Sequence, residues 1–279
     1  MTTMPEPALA SPSNPRIKAA ARLRDRRERD ASGLTLVDGA RELRRALQAG
    51  VEVVEAFVCE PLVAGEDARA ALDALRARGA PVTTTTEVAF AKLAFGDRIE
   101  GLLAVVRAPS VALDDLTLPD VPLIVVIEGV EKPGNLGAIL RSADGAGVDA
   151  VIAASPRTDL ANPNVIRASA GTIFTVPLAA APTDAVLRWL RERRVRIVAT
   201  RVDAAQPYTA LDLTGSVAIV LGSEAGGLTD AWLGPDIEAV HLPMLGVADS
   251  LNVSVTAAVL VYEARRQRAP HPRASDWSE

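Results

Sequence analysis

The chain has 279 residues, 49% hydrophobic, 23% charged and only 3% aromatic, with a net charge of −5; that length suits one large or two ordinary domains with a sizeable core. No apolar run approaches the length that spans a bilayer, and the polar, proline-containing start offers no secretory apolar segment, so the expected compartment is the cytoplasm. Cys59 is the single cysteine and His241 and His271 the only histidines, which argues against a disulfide framework and against a metal site.

Residues 1–15 are polar and proline-rich and read as a disordered tail. Between Arg16 and Arg29 lie seven basic residues against two acidic ones. A helix there presents either a solvated face or a phosphate-contacting surface, with Arg22, Arg24, Arg26 and Arg27 as the candidate contacts. The scarcity of aromatics speaks against base stacking on an aromatic platform. Strand and helix then alternate. Strands are expected over Leu34–Val37, Val53–Cys59, Val82–Thr85 and Gly101–Arg107. Helices are expected over Ala40–Ala49, Asp67–Arg78 and Glu87–Ala94. This predicts a small α/β domain over residues 16–107 with a mostly parallel sheet. Pro109, Pro119 and Pro122, with Asp114 and Asp115, mark residues 108–122 as a linker.

A second domain, residues 123–268, opens on the continuous apolar run Leu123–Glu128, the pattern of a buried parallel strand. Helices are expected over Asn135–Ala146, Pro163–Ala170, Asp184–Arg194 and, briefly, Leu228–Leu233. Strands are expected over Ala150–Ala154, Ile173–Val176, Val195–Thr200, Val217–Leu221 and Glu238–Leu242. The periodicity predicts a doubly wound α/β fold. Ser250 is placed to cap a last helix that runs to about Arg268, with residues 269–279 as a tail. That helix carries one apolar stripe of Leu251, Val255, Val259 and Tyr262 and another of Val253, Ala257, Leu260 and Ala264, so it needs cover on more than one side. Its first turns hold Ser250, Asn252, Ser254 and Thr256, polar groups that need partners from a ligand or a second subunit.

Two glycine-rich turns stand out. PGNLG at Pro133–Gly137 precedes a helix, with Asn135 suited to capping it; its spacing matches neither dinucleotide nor P-loop fingerprints. GSEAGGL at Gly222–Leu228 follows an apolar strand, at the sheet edge where α/β proteins bind ligands.

Read together, IEGVEKPGNLGAILRSA (Ile127–Ala143), VLGSEAGGL (Val220–Leu228) and LPMLGVADSLNVSVTAA (Leu242–Ala258) resemble the three ordered motifs of the SpoU/TrmH ribose methyltransferases. That family belongs to the SPOUT class. The resemblance implies a trefoil knot in the second domain, S-adenosylmethionine as cofactor, an RNA substrate and a homodimer. It implies a catalytic set of Arg141, Asn135, Glu224, Ser250 and Asn252, and a donor pocket of Thr200, Leu221, Gly222, Leu242, Met244 and Leu251. RASAG at Arg167–Gly171 also matches a family segment, so Arg167 touches RNA or the other subunit. Gly145–Ala146–Gly147 departs from the pattern, since an aromatic usually follows the first-motif helix. NPRIKAAARLRDRRERD and LTLVDGARELRRAL, more loosely, resemble the RNA substrate-binding domain that precedes the catalytic domain in many relatives. The implied activity is 2′-O-ribose methylation of RNA, with 23S ribosomal RNA favoured. The alternatives are a tRNA substrate or a non-catalytic RNA-binding protein on the same scaffold.

Overall fold

The computed structural model describes residues 8–95, 99–224 and 226–268. The chain divides into two compact units. The first takes the residues up to Pro109 together with Asp159–Thr175, and the second takes Ser110–Thr158 and everything from Val176 onward.

The first unit opens with α1 (Pro15–Arg22) and α2 (Arg26–Ser32) rather than one continuous helix. The break falls at Asp25, whose carboxylate accepts from the Arg27 N–H at 2.8 Å and caps α2, a local bond that competes with helix continuation. Next come β1 (Leu34–Asp38), α3 (Ala40–Gln48), β2 (Val53–Val58), α4 (Glu66–Ala77), β3 (Val82–Thr84), α5 (Glu87–Leu93) and β4 (Leu102–Arg107). The sheet order is β1-β4-β2-β3. β4 runs antiparallel to both its neighbours and only β2–β3 is parallel, so the expected mostly parallel sheet is corrected to a mixed one. Alternation of strand and helix does not specify direction when the last strand inserts centrally. Ile17 and Ala20 of α1, with Leu23 just after it, pack with Ala89, Phe90 and Leu93 of α5, which turns Lys18 and Arg22 outward. Of the expected tail, residues 1–7 lie outside the described residues. The remainder is held, because the Leu9 N–H donates to Thr84 O at 2.8 Å and its carbonyl accepts from Thr86.

The second unit contains β5 (Leu123–Glu128), α6 (Pro133–Ala146) and β6 (Ala150–Ala154). The chain then contributes α7 (Pro163–Ala168) to the first unit and returns as β7 (Leu178–Ala181), α8 (Thr183–Glu192), β8 (Arg196–Thr200), β9 (Gln206–Pro207), β10 (Val217–Leu221), β11 (Ile237–His241) and α9 (Val253–Arg268). Its seven strands are parallel throughout, in the order β7-β6-β5-β10-β8-β11-β9. Ile124 and Val126 of β5 share a core with Trp189 and Leu190 of α8 and with Trp232, while α6 and α9 pack together. Leu113, Leu116 and Leu118, within the expected linker, pack against that core. The strand expected over Ile173–Val176 is instead a short 3-10 turn at Thr172–Phe174, and the strand begins at Leu178. Ala170 and Gly171, at φ +53° and +83°, turn the chain there, and the buried Ile173 mimics a strand pattern without pairing. No helix among the described residues is long and apolar enough to cross a membrane. The tail at 269–279 lies outside the described residues.

Candidate active site

Because β10, β8 and β11 are adjacent and parallel, their C-terminal ends open on one edge of the sheet. They meet there in a cavity of about 710 Å³, within the range of small-molecule sites. Thr200 and Arg201 line it at the end of β8, Leu221 to Glu224 at the end of β10, and His241 to Met244 at the end of β11. Asp249, Ser250, Leu251 and Val253 line it on the way into α9. All six expected donor-pocket residues are therefore in one cavity, as are Glu224 and Ser250.

The glycine turn after β10 is closed by its own backbone. The Ser223 and Gly227 N–H groups each donate to the other's carbonyl, at 3.1 and 3.0 Å, and the Gly226 N–H reaches Ser223 Oγ at 3.2 Å. A Cβ on Gly222 would overlap the carbonyl carbon of Gly227 and the nitrogen of Leu228, so only glycine allows this approach. The far side of the turn is tied down by Glu128, the last residue of β5, which sequence reasoning missed. Its buried carboxylate accepts from the Thr229 N–H at 2.8 Å, from Thr229 Oγ1 at 2.9 Å and from Thr183 Oγ1 at 2.8 Å. An acid ending the apolar run Leu123–Ile127 was the visible signal, since a buried acid requires donors.

Asn135 and Asn252 do not line the cavity but join Glu224 at its edge. α6 starts at Pro133 with Lys132 as N-cap, so Asn135 sits in the first turn rather than capping it. Its Nδ2 donates to Glu224 Oε1, and its Oδ1 accepts from Asn252 Nδ2 at 3.3 Å. Asn252 Oδ1 in turn accepts from the Ser254 N–H at 2.9 Å and from Ser254 Oγ at 2.6 Å. Asn252 is thus the residue that caps α9, and the cap expected from Ser250 is corrected. A backbone N–H can only donate, so the cap fixes the amide orientation of Asn252 and through it that of Asn135. Arg141 is exposed on α6, pairs with no side chain among the described residues and does not line the cavity. At Gly145, where the family pattern has its aromatic nearby, the hydroxyl of Tyr262 on α9 occupies the space a side chain would need.

In the first unit, Arg22 pairs loosely with Glu28 at 3.7 Å and Arg26 with Asp30 at 3.4 Å; these and Arg27 are exposed. Arg24 is occupied differently. Its Nη2 donates to the carbonyls of Lys92, Leu93 and Ala94 at 2.9, 2.6 and 2.8 Å, closing the end of α5, and its guanidinium lies 5.5 Å from the Phe95 ring centre. Arg167, on α7, approaches the same ring at 5.8 Å and donates to Phe95 O at 2.6 Å. Asp38 accepts the Phe95 N–H at 3.2 Å and lies 3.9 Å from Arg167, but burial outweighs both and pushes its carboxyl up to about 6. Arg29 is buried against Asp159 at 2.6 Å and serves the packing of this unit. No group of three or more potential metal ligands occurs among the described residues.

Comparison with known proteins gives the family of the chain. Residues 122–262 match the SpoU rRNA Methylase family, and residues 14–104 match the MRM3-like substrate binding domain. The chain is 39% identical over 181 residues to the 23S rRNA (guanosine-2′-O-)-methyltransferase RlmB of Ralstonia nicotianae, covering 63% of this chain and 73% of that protein. A crystal structure of an RNA 2′-O ribose methyltransferase is 42% identical, with a TM-score of 0.83 over 94% of this chain and 99% of the other. The SpoU methyltransferase AviRb from Streptomyces viridochromogenes, solved in complex with AdoMet, is 28% identical with a TM-score of 0.81, over 91% of this chain and 98% of its own.

Proposed function

The chain belongs to the SpoU rRNA methylase family, and from that premise we propose that it transfers a methyl group from S-adenosylmethionine to a ribose 2′-hydroxyl of 23S ribosomal RNA. One observation carries the reading to particular residues. Asn135 of the first motif, Glu224 of the second and Asn252 of the third, far apart in sequence, form one hydrogen-bonded chain beside the cavity that the second and third motifs enclose.

The residues fit the donor. Leu242, Met244 and Leu251 offer an apolar surface to an adenine, the turn at Gly222–Gly227 brings backbone close, and Glu224 and Asp249 place negative charge near a cation. When bound, S-adenosylmethionine supplies a methyl group activated by its sulfonium. The protein's own task is to present the 2′-oxygen and to accommodate the negative charge it gains. Arg141 suits this because its guanidinium is free to grip an RNA phosphate in bidentate fashion and to stabilise the developing alkoxide. A guanidinium that stays protonated is a poor general base. Asn135 and Asn252, locked in orientation by the α9 cap, position the ribose.

The unit with α1 and α2 supplies RNA affinity through Arg22, Arg26 and Arg27, and the enzyme works in the cytoplasm as a homodimer. The exposed Leu251, Val255 and Tyr262 on and beside α9 support the second copy. The test is incubation with protein-free 23S rRNA and donor, followed by mapping of 2′-O-methyl sites. One new ribose methyl in 23S rRNA is expected. Methylation of tRNA instead, or donor binding without transfer to any RNA, would overturn the reading.

A further inference from the structure

Arg201 is the only arginine or lysine that lines the cavity among the described residues. It is the first residue after β8, the strand flanked by β10 and β11, so it stands at the middle of the three strand ends that form the cavity. Its backbone N–H is held by Val240 O at 2.8 Å. Its side chain is 23% exposed and braced by Asp203, with Nε to Oδ1 and Nη2 to Oδ2 both at 2.9 Å. That pair occupies one edge of the guanidinium fork. The other edge, between Nη1 and Nη2, has no acceptor among the described residues, and a planar guanidinium presents it to a second carboxylate in bidentate fashion. Bracing by Asp203 removes much of the side-chain freedom that such a contact would otherwise cost.

We propose that the open edge of Arg201 recognises the carboxylate on the amino-acid part of the methyl donor. The inference rests on the cavity being the donor pocket. A donor with an adenosine part, a sulfonium and an α-carboxylate brings one anionic group into a cavity whose other charged side chains, Glu224 and Asp249, are acids. Among the arginines, lysines and acids that line it, Arg201 alone carries the complementary charge. RNA phosphate is the other source of an anion, and the experiment separates the two.

Calorimetry on the full-length chain would compare S-adenosylhomocysteine with 5′-methylthioadenosine, which keeps the adenosine and thioether but lacks the carboxylate. Arg201→Gln is expected to weaken the first by about tenfold or more, the scale of a lost charge-assisted pair, and to leave the second within about twofold. Arg201→Lys, keeping charge without the fork, should fall between. Thermal melting of each variant checks that the fold persists, as it should when the braced side chain is partly exposed. Equal weakening of both ligands, or of neither, would overturn the contact while the donor pocket stands. Loss of RNA affinity with unchanged S-adenosylhomocysteine binding would assign Arg201 to phosphate and overturn it too. If the unmodified chain binds neither nucleoside, the donor pocket itself falls and this contact with it.

Discussion

At the residue scale, burial and pairing separate side chains that look alike in sequence. Arg29 is buried in an ion pair, Arg24 closes α5 and Arg141 has no partner among the described residues. Removing Arg141 should therefore cost little in folding and much in chemistry. Arg141→Ala should slow single-turnover methyl transfer by roughly two to three orders of magnitude, with donor affinity and melting temperature nearly unchanged. A variant that keeps more than about a tenth of the rate would remove Arg141 from the mechanism. Asp38 makes the opposite kind of prediction. Its folded carboxyl titrates at about 6, above the ordinary 3.8, because burial disfavours its charge. The folded state thus binds the proton more tightly, so stability is highest below the ordinary value and falls as pH rises towards 6. Asp38→Asn keeps an acceptor for the Phe95 N–H and should flatten that decline, worth on the order of 1–3 kcal/mol. Melting curves between pH 4 and 7 would show it, and parallel profiles for the two proteins would contradict it.

At the scale of elements, α9 shows how one helix serves two environments. Val253, Ala257, Leu260 and Ala264 are buried, whereas Val255 is 47% exposed and Tyr262 53%. The first stripe contributes to the fold of the unit, and the second is a patch that a partner copy would cover. The two stripes should respond differently to charge. Val255→Glu should leave the monomer folded but lower both dimer content in sedimentation and methyl transfer. Leu260→Glu, introducing an unpaired charge at a position 1% exposed, should abolish folding. A Val255→Glu protein that stays dimeric would refute this interface, and one that is monomeric yet fully active would refute a shared site.

At the scale of the whole molecule, chemistry and RNA affinity are assigned to different units. Replacing Arg22, Arg26 and Arg27 with Gln should weaken RNA binding and reduce its salt slope by about 0.7–0.9 per lost phosphate contact, without altering donor affinity. Filter binding across a salt series measures this, and an unchanged slope would make the segment a solvated face. Arg24 is left out of that set, because its loss would uncap α5 and confuse binding with stability.

Local pattern alone located most elements, from the apolar β5 to the helix that Gly147 ends, because burial periodicity and turn chemistry are properties of neighbouring residues. Ordered motifs pointed to the family, and the six residues expected for the donor pocket lie in one cavity, whereas Arg141, Asn135 and Asn252 do not line it. Strand direction in the first unit was not legible, since a strand's own residues do not record which neighbour it pairs with. Nor was the cap of α9: Ser250 and Asn252 are both good N-caps, and Asn252 takes the role in a chain that also ties it to Asn135. The bond from Asn135 to Glu224, the burial of Glu128 beneath the glycine turn and the place of Arg201 beside the ends of β10 and β11 are likewise products of the tertiary fold, whereas the brace from Asp203 is local. Those three depend on parallel strands placing distant turns at one edge of a sheet, and a linear sequence carries no direct signal of that adjacency.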